Sequence, residues 1–220
     1  MNKTKIEWAD YTWNPIKGLC PVGCWYCYAR KMHTRFGLGK KYFLEGENER
    51  LLDDRELWAP RKIKKPSRIF VCSTYEIFHP AADFARDEIF KEIKACHWHT
   101  FIILTKYPQN IDRSMPENVW LGVTISGLED SWRGVRLFNA KAKIKFVSYE
   151  PLLSFPLSMP PGGMNWIIIG KLTGHGKKYD PPKRWVENLV DTARALDYPI
   201  FLKNNLKEIW GEPLIQELPK

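Results

Sequence analysis

The chain is predicted to be an α/β protein, a partial parallel (β/α) barrel of about six strands. Three observations predict it. Short, almost wholly apolar, β-rich runs recur along the sequence, and most are followed by a stretch of helical period or a short helical turn. The runs are continuous rather than alternating, the mark of strands covered on both faces, as parallel strands are when crossover helices lie over them. Polar residues then stand where the runs end. The 220 residues read as one domain, residues 1–220, and a complete eight-unit barrel would be tight, so an arc with an open side is expected.

Residues 6–13 alternate loosely and carry aromatics before Asn14-Pro15, and read as a first strand that delivers the following cysteine-rich loop to one end of a sheet. Residues 28–33 have helix-forming composition until Gly37 and Gly39 stop them. Residues 40–66 are charged and poorly periodic, an irregular excursion or short helix. The run 68–74 reads as a buried strand, and 81–96 follows at helical period with Phe84, Ile89, Phe90 and Ile93. Further strands are expected at 100–105, 119–125, 143–148, 166–169 and 200–203, with helices at 108–113, 128–139 and 184–196.

The polar residues at the strand ends are Ser73-Thr74, Thr105-Lys106, Thr124 and Ser126, Ser148 and Glu150, Lys171, and Lys203-Asn204. In parallel α/β sheets and barrels that is the end where ligands bind. Lys106, Glu150 and Lys203 are the expected catalytic residues, because an apolar strand before each holds the charge at the mouth. All three are expected to face one cavity, with the cysteine loop at the same mouth.

Three of the five cysteines lie in Cys20-Pro21-Val22-Gly23-Cys24-Trp25-Tyr26-Cys27. Thiolates so spaced converge on one centre without a long loop, which points to a metal or an iron–sulfur cluster. Three thiolates on a four-iron cluster leave one iron open to a substrate, whereas structural zinc needs a fourth ligand from His33, Cys72 or Cys96. An odd cysteine count and no recognisable signal peptide argue against a disulfide framework and set the expectation of a cytoplasmic protein. Cys72, in an apolar run, is expected in the core, and Cys96 to be incidental. His79, His97, His99 and His175 share no ligand spacing, and residues 170–176 lack the spacing of a phosphate-binding loop.

No run approaches the ~18 apolar residues of a membrane span. A formal charge of +9 favours a polyanionic partner such as nucleic acid. The basic run from Arg61 to Arg68 is a solvated face that also suits phosphates, and Trp8, Trp13, Trp25 and Trp58 are expected near the mouth, where they can stack on bases. Oligomeric state is not legible.

With the aromatic Tyr26 before its last cysteine, C-x3-C-x2-C resembles the signature of the radical S-adenosylmethionine (SAM) superfamily. That resemblance implies that Cys20, Cys24 and Cys27 bind a [4Fe–4S] cluster, that SAM chelates the open iron through its amino and carboxylate groups, and that Tyr26 lies near the adenine. It also implies an external electron donor. Ser73-Thr74-Tyr75-Glu76 corresponds to the superfamily motif that receives the SAM amino group, with Glu76 in place of the usual Gly-Gly-Glu; Ser73, Glu76, Thr124 and Glu150 are the further cofactor contacts it suggests, Glu150 for the ribose or the substrate. A closer resemblance, to a phage-associated radical-SAM-like family, rests on Ile6-Glu7-Trp8, Trp13-Asn14-Pro15, Leu104-Thr105-Lys106, residues 119–124, residues 148–152 and residues 166–170. The chain departs from that family in a shorter gap between its first two cysteines and at Gly170-Lys171-Leu172-Thr173-Gly174, so no family role carries over to Lys171 or Thr173. The expected function is thus SAM cleavage acting on a macromolecule, nucleic acid before peptide. A reading of another class is a non-catalytic zinc- or cluster-bearing nucleic-acid-binding module.

Overall fold

The computed structural model describes residues 1–35, 51–156 and 162–219; residues 36–50, and with them the predicted helix stop at Gly37 and Gly39 and the start of the 40–66 excursion, lie outside these. The chain forms two compact units, Met1–Ile103 and Leu104–Lys220, each an α/β arrangement built on parallel strands, with two short antiparallel pairs added in the first.

In the first unit, β1 (Asn2–Lys3) runs antiparallel to β2 (Tyr11–Trp13). A separate antiparallel pair joins β3 (Ile16–Lys17) to β4 (Leu51–Leu52). The strand β5 (Arg68–Val71) is parallel to β2 and to β6 (Thr100–Thr105), most of which belongs to this unit. Helix α1 spans Tyr28–Arg35 and the short α2 spans Asp54–Leu57, started by the Asp53 carboxylate accepting the Glu56 N–H at 3.1 Å. The first strand is shorter than residues 6–13: the Thr4 hydroxyl accepts the Ile6 N–H in a local turn, and the Asp10 carboxylate reaches across to the start of β5, where it accepts the Arg68 N–H.

Trp8 and Trp13, expected at the mouth, are instead buried. Trp8 is edge-on to the Phe70 ring at 4.9 Å, and the Trp13 indole N–H donates to the Glu56 carbonyl at 2.7 Å. Helix α3 (Asp83–Ala95) buries Ala85, Ile89, Phe90 and Ile93, while Phe84 is turned outward. Its buried Arg86 donates to the Ile77 and His79 carbonyls and to Asp83, tying the loop after β5 to the helix start.

In the second unit, β7 (Val119–Thr124), β8 (Ile144–Tyr149), β9 (Trp166–Ile169) and β10 (Ile200–Leu202) are parallel in sequence order. Helices α4 (Trp132–Phe138), α5 (Lys183–Ala195) and α6 (Lys207–Trp210) accompany them. The apolar stripe Val186, Leu189, Val190 and Ala193 of α5 is buried. Trp166 anchors the core against Phe146, Trp120 and Phe201, and its indole N–H donates to the Glu217 carbonyl. The C-terminal segment covers the edge of β10, with Leu202 and Glu217 N–H groups donating to the Ile215 and Ile200 carbonyls. No helix among the described residues is long and apolar enough to cross a membrane.

Candidate metal centre

Parallel pairing of β2 with β5 brings the chain after Trp13 beside the chain after Val71. There Asn14 acts as a latch. Its side-chain amide oxygen accepts from the Ser73 hydroxyl at 3.1 Å and the Thr74 N–H at 3.2 Å, while the Tyr28 hydroxyl, from the start of α1, donates to the Ser73 backbone carbonyl at 3.3 Å. The end of β2, the loop after β5 and the first turn of α1 are thereby pinned together, and the cysteine loop runs between them.

Gly23 takes φ +70°, in the left-handed region glycine enters without a Cβ clash, and turns the chain between Cys20 and Cys24. The Cys27 N–H then donates to the Cys24 carbonyl and the Lys31 N–H to the Cys27 carbonyl, which seats Cys27 on the first turn of α1. Arg30 closes the loop from below by donating to the Cys20 carbonyl at 3.2 Å. Cys20, Cys24 and Cys27 are free, half-buried thiols lining one pocket with Arg30, His33 and Thr74.

Burial holds the Cys20 thiol above its ordinary range, and the Glu76 carboxylate and the Cys24 sulfur push the same way. The backbone hydrogen bonds of Val22 and Glu76 oppose this. Glu76 is itself buried, and one of its oxygens accepts the Phe78 N–H at 3.1 Å. Among the described residues the buried Nδ1 of His33 has no hydrogen-bond partner, and burial with the neighbouring Arg30 charge lowers its pKa. Cys72 is buried, as expected; burial, then the charges of Glu76 and Cys20, drive its thiol far upward. Cys96 is placed elsewhere, donating its S–H to Glu92 at 3.3 Å, with burial the first cause of a thiol pushed up to about 12.

The donor types suit an iron–sulfur cluster or zinc: three soft thiols on a short loop, and an imidazole whose Nδ1 has no partner among the described residues. A bound cation would reverse the upward pressure on Cys20, since metal ligation deprotonates a thiol outright. Among the described residues no three His, Cys, Asp or Glu side chains already stand as a metal-ligand group. The pocket encloses about 20 Å³, room for little more than one water-sized sphere, so the loop must spread to admit such a group.

The second unit carries a separate strand-end site. Registers pair Thr124 with Ser148, Ser148 with Ile168, and Ile168 with Phe201. Two residues further on, Glu150, Gly170 and Lys203 share the same face at the C-terminal ends. The Lys203 ammonium lies 3.2 Å from Glu150, both side chains being mostly buried. A Cβ at Gly170 would come within 3.0 Å of Glu150 Cδ and Lys203 Cγ, so glycine permits this closeness. Beneath the pair Ser148 is fully buried, and its hydroxyl has no partner among the described residues. Thr124 is buried, and its carbonyl accepts from Arg133. Lys106 follows β6, where the Thr105 hydroxyl accepts the Tyr107 N–H at 2.8 Å.

Of the remaining expected residues, Tyr26 stands edge-on to Trp25, and Trp25 and Trp58 are exposed. Arg61 from the basic run is engaged bidentately by the buried Glu92. Sequence reading did not anticipate the latching role of Asn14 or the closure by Arg30. Asn14, next to a proline at the end of a predicted strand, is the signal that was available.

Fold and site thus define an α/β protein with a three-cysteine loop at the C-terminal ends of parallel strands. The family described as "Protein of unknown function (DUF5131)" matches residues 3–215, and the chain belongs to that family. No curated protein and no solved structure matches it.

Proposed function

We propose that the protein is a radical-SAM enzyme acting on nucleic acid, with a [4Fe–4S] cluster held by Cys20, Cys24 and Cys27. The observation that carries this reading is the seating of all three thiols around one pocket, with Glu76 beside Cys20. Bound there, the cluster would supply reductive cleavage of SAM to methionine and a 5′-deoxyadenosyl group that takes hydrogen from the substrate, the electron coming from an external one-electron donor.

The chain's own residues hold and orient. Cys20, Cys24 and Cys27 would hold the cluster by three thiolates, and the buried Glu76 carboxylate is suited to accept hydrogen bonds from an ammonium group. Asn14, Tyr28 and Ser73 fix the loop after β5, so that Glu76 has little freedom to drift. Glu150 and Lys203 offer an acceptor and a donor at the ends of β8 and β10, suited to hydroxyl and phosphate groups. In this reading the parallel strands belong to a partial (β/α) barrel.

Anaerobic reconstitution with iron and sulfide tests the proposal. Expected are the metal and sulfide content of one [4Fe–4S] cluster per chain, its visible absorption, and release of 5′-deoxyadenosine from SAM on reduction, all lost in Cys24→Ala. Stoichiometric zinc with no iron, and no cleavage of SAM, would overturn it in favour of a structural zinc module.

A further inference from the structure

We infer that α4 and the hollow beside it form a docking surface for single-stranded nucleic acid. The inference rests on the substrate class proposed above and needs nothing from the cluster.

An amphipathic helix of a globular protein ordinarily buries its apolar stripe. Helix α4 does so with Gly134 and Leu137, yet a second stripe faces outward: Leu128 in the preceding turn, then Trp132, Val135 and Phe138, between 43% and 55% exposed. Both rings carry a cation on one side. The Arg133 guanidinium carbon is 5.8 Å from the Trp132 ring centre, and the Lys145 ammonium is 5.3 Å from that of Phe138. Aromatic surface interleaved with cations is what unpaired bases and their phosphates require.

Continuous with this stripe is an open polar hollow of about 380 Å³, whose lining includes Gln109, Arg113, Ser114, Arg136, Asn139 and Lys141. Trp132, Arg136 and Asn139 lie at helical i, i+4, i+7 spacing, so ring and hollow share one helix face. The acid in the lining, Asp112, is held by Arg113 at 2.7 and 3.0 Å. Among the described residues Arg136 and Lys141 have no carboxylate partner. Arg133 is paired with Asp130 at 2.9 Å, so the uncompensated charge on this face is that of Arg136 and Lys141, and such charge near exposed rings favours a polyanion with stacking faces over an apolar protein partner. Phosphates would sit on Arg136 and Lys141, and a base on Trp132.

Fluorescence anisotropy of the full chain with a labelled single-stranded DNA oligonucleotide, titrated across about 50 to 200 mM salt, tests the assignment. Trp132→Leu keeps apolar bulk but removes the stacking face, and is expected to weaken binding roughly five- to a hundredfold, while Trp132→Tyr retains it. Arg136→Gln with Lys141→Gln should reduce the steepness of the log–log salt dependence by about 1.4, two phosphate contacts' worth for a single strand. Absence of wild-type binding at low salt, or binding unchanged in Trp132→Leu, overturns the inference. So does sedimentation showing a dimer that Trp132→Leu dissociates, since the face would then meet a second copy. Loss of SAM cleavage with DNA binding intact overturns only the chemistry proposed above; intact cleavage with no DNA binding overturns the substrate class and this surface.

Discussion

Cysteine chemistry separates the five thiols by surroundings. Cys20, Cys24 and Cys27 are half-buried on a loop, whereas Cys72 and Cys96 are enclosed, and burial raises both of their thiols, that of Cys96 to about 12. Alkylation needs an accessible thiolate, and at pH ~8 a thiol with such a pKa is ionised in only about one molecule in ten thousand. Peptide mapping after brief alkylation of the native metal-free protein should therefore find label on the 20–27 loop, and on Cys72 and Cys96 only after denaturation. Label on Cys72 as fast as on Cys24 would contradict the enclosed position of Cys72. That the three loop cysteines lie close together was legible from spacing alone, and the structure lines one pocket with them. The orphaned His33 nitrogen in their pocket was not, because it depends on how α1 packs.

Strands 100–105 and 166–169 were readable to the residue, since each is an apolar run bounded by polar or turn-forming neighbours. The run 68–74 ends early at Val71 because Cys72 takes φ +52°, a backbone state that breaks the ladder and that composition does not announce. The expected helix 128–139 divides into a tight turn, Leu128–Asp130, and α4. Within the second unit, β7 and β8 meet through Gly122, where an added Cβ would fall 2.3 Å from the Phe146 ring. Gly122→Ala should cost about 1–3 kcal/mol by overpacking. It should lower the urea midpoint at unchanged slope, with Phe146→Leu recovering part of the loss. A midpoint that does not move would show that the two strands separate more easily than this contact implies.

For the whole molecule, anything that binds the folded chain and not the unfolded one stabilises it, by about 2.7 kcal/mol when free ligand is about one hundred times Kd. On the proposed reading, a loop that spreads to take a metal group should become one of the more firmly held parts of the protein once loaded. The reconstituted protein is expected to melt higher than the metal-free protein, and a chelator to return it to the metal-free value. A variant with Cys20, Cys24 and Cys27 all replaced by Ala should gain nothing from iron and sulfide. An equal gain in that variant would place the stabilising metal elsewhere in the chain.

What the sequence determined by itself was local: continuous apolar runs are strands covered on both faces, helical spacing marks the crossovers, and three cysteines within eight residues bring three thiols close together wherever the loop goes. What only the tertiary structure decided was exposure and partnership. Trp8 and Trp13 look, in sequence, like Trp25 and Trp132; Phe70 and the Glu56 carbonyl help enclose the first two, whereas the other two stay exposed. Glu150 and Lys203 stand 53 positions apart in the chain and become an ion pair because β9 lies between their strands with a glycine at the crossing point. Burial and long-range pairing are properties of neighbours in space, set by which faces of the strands and helices pack together.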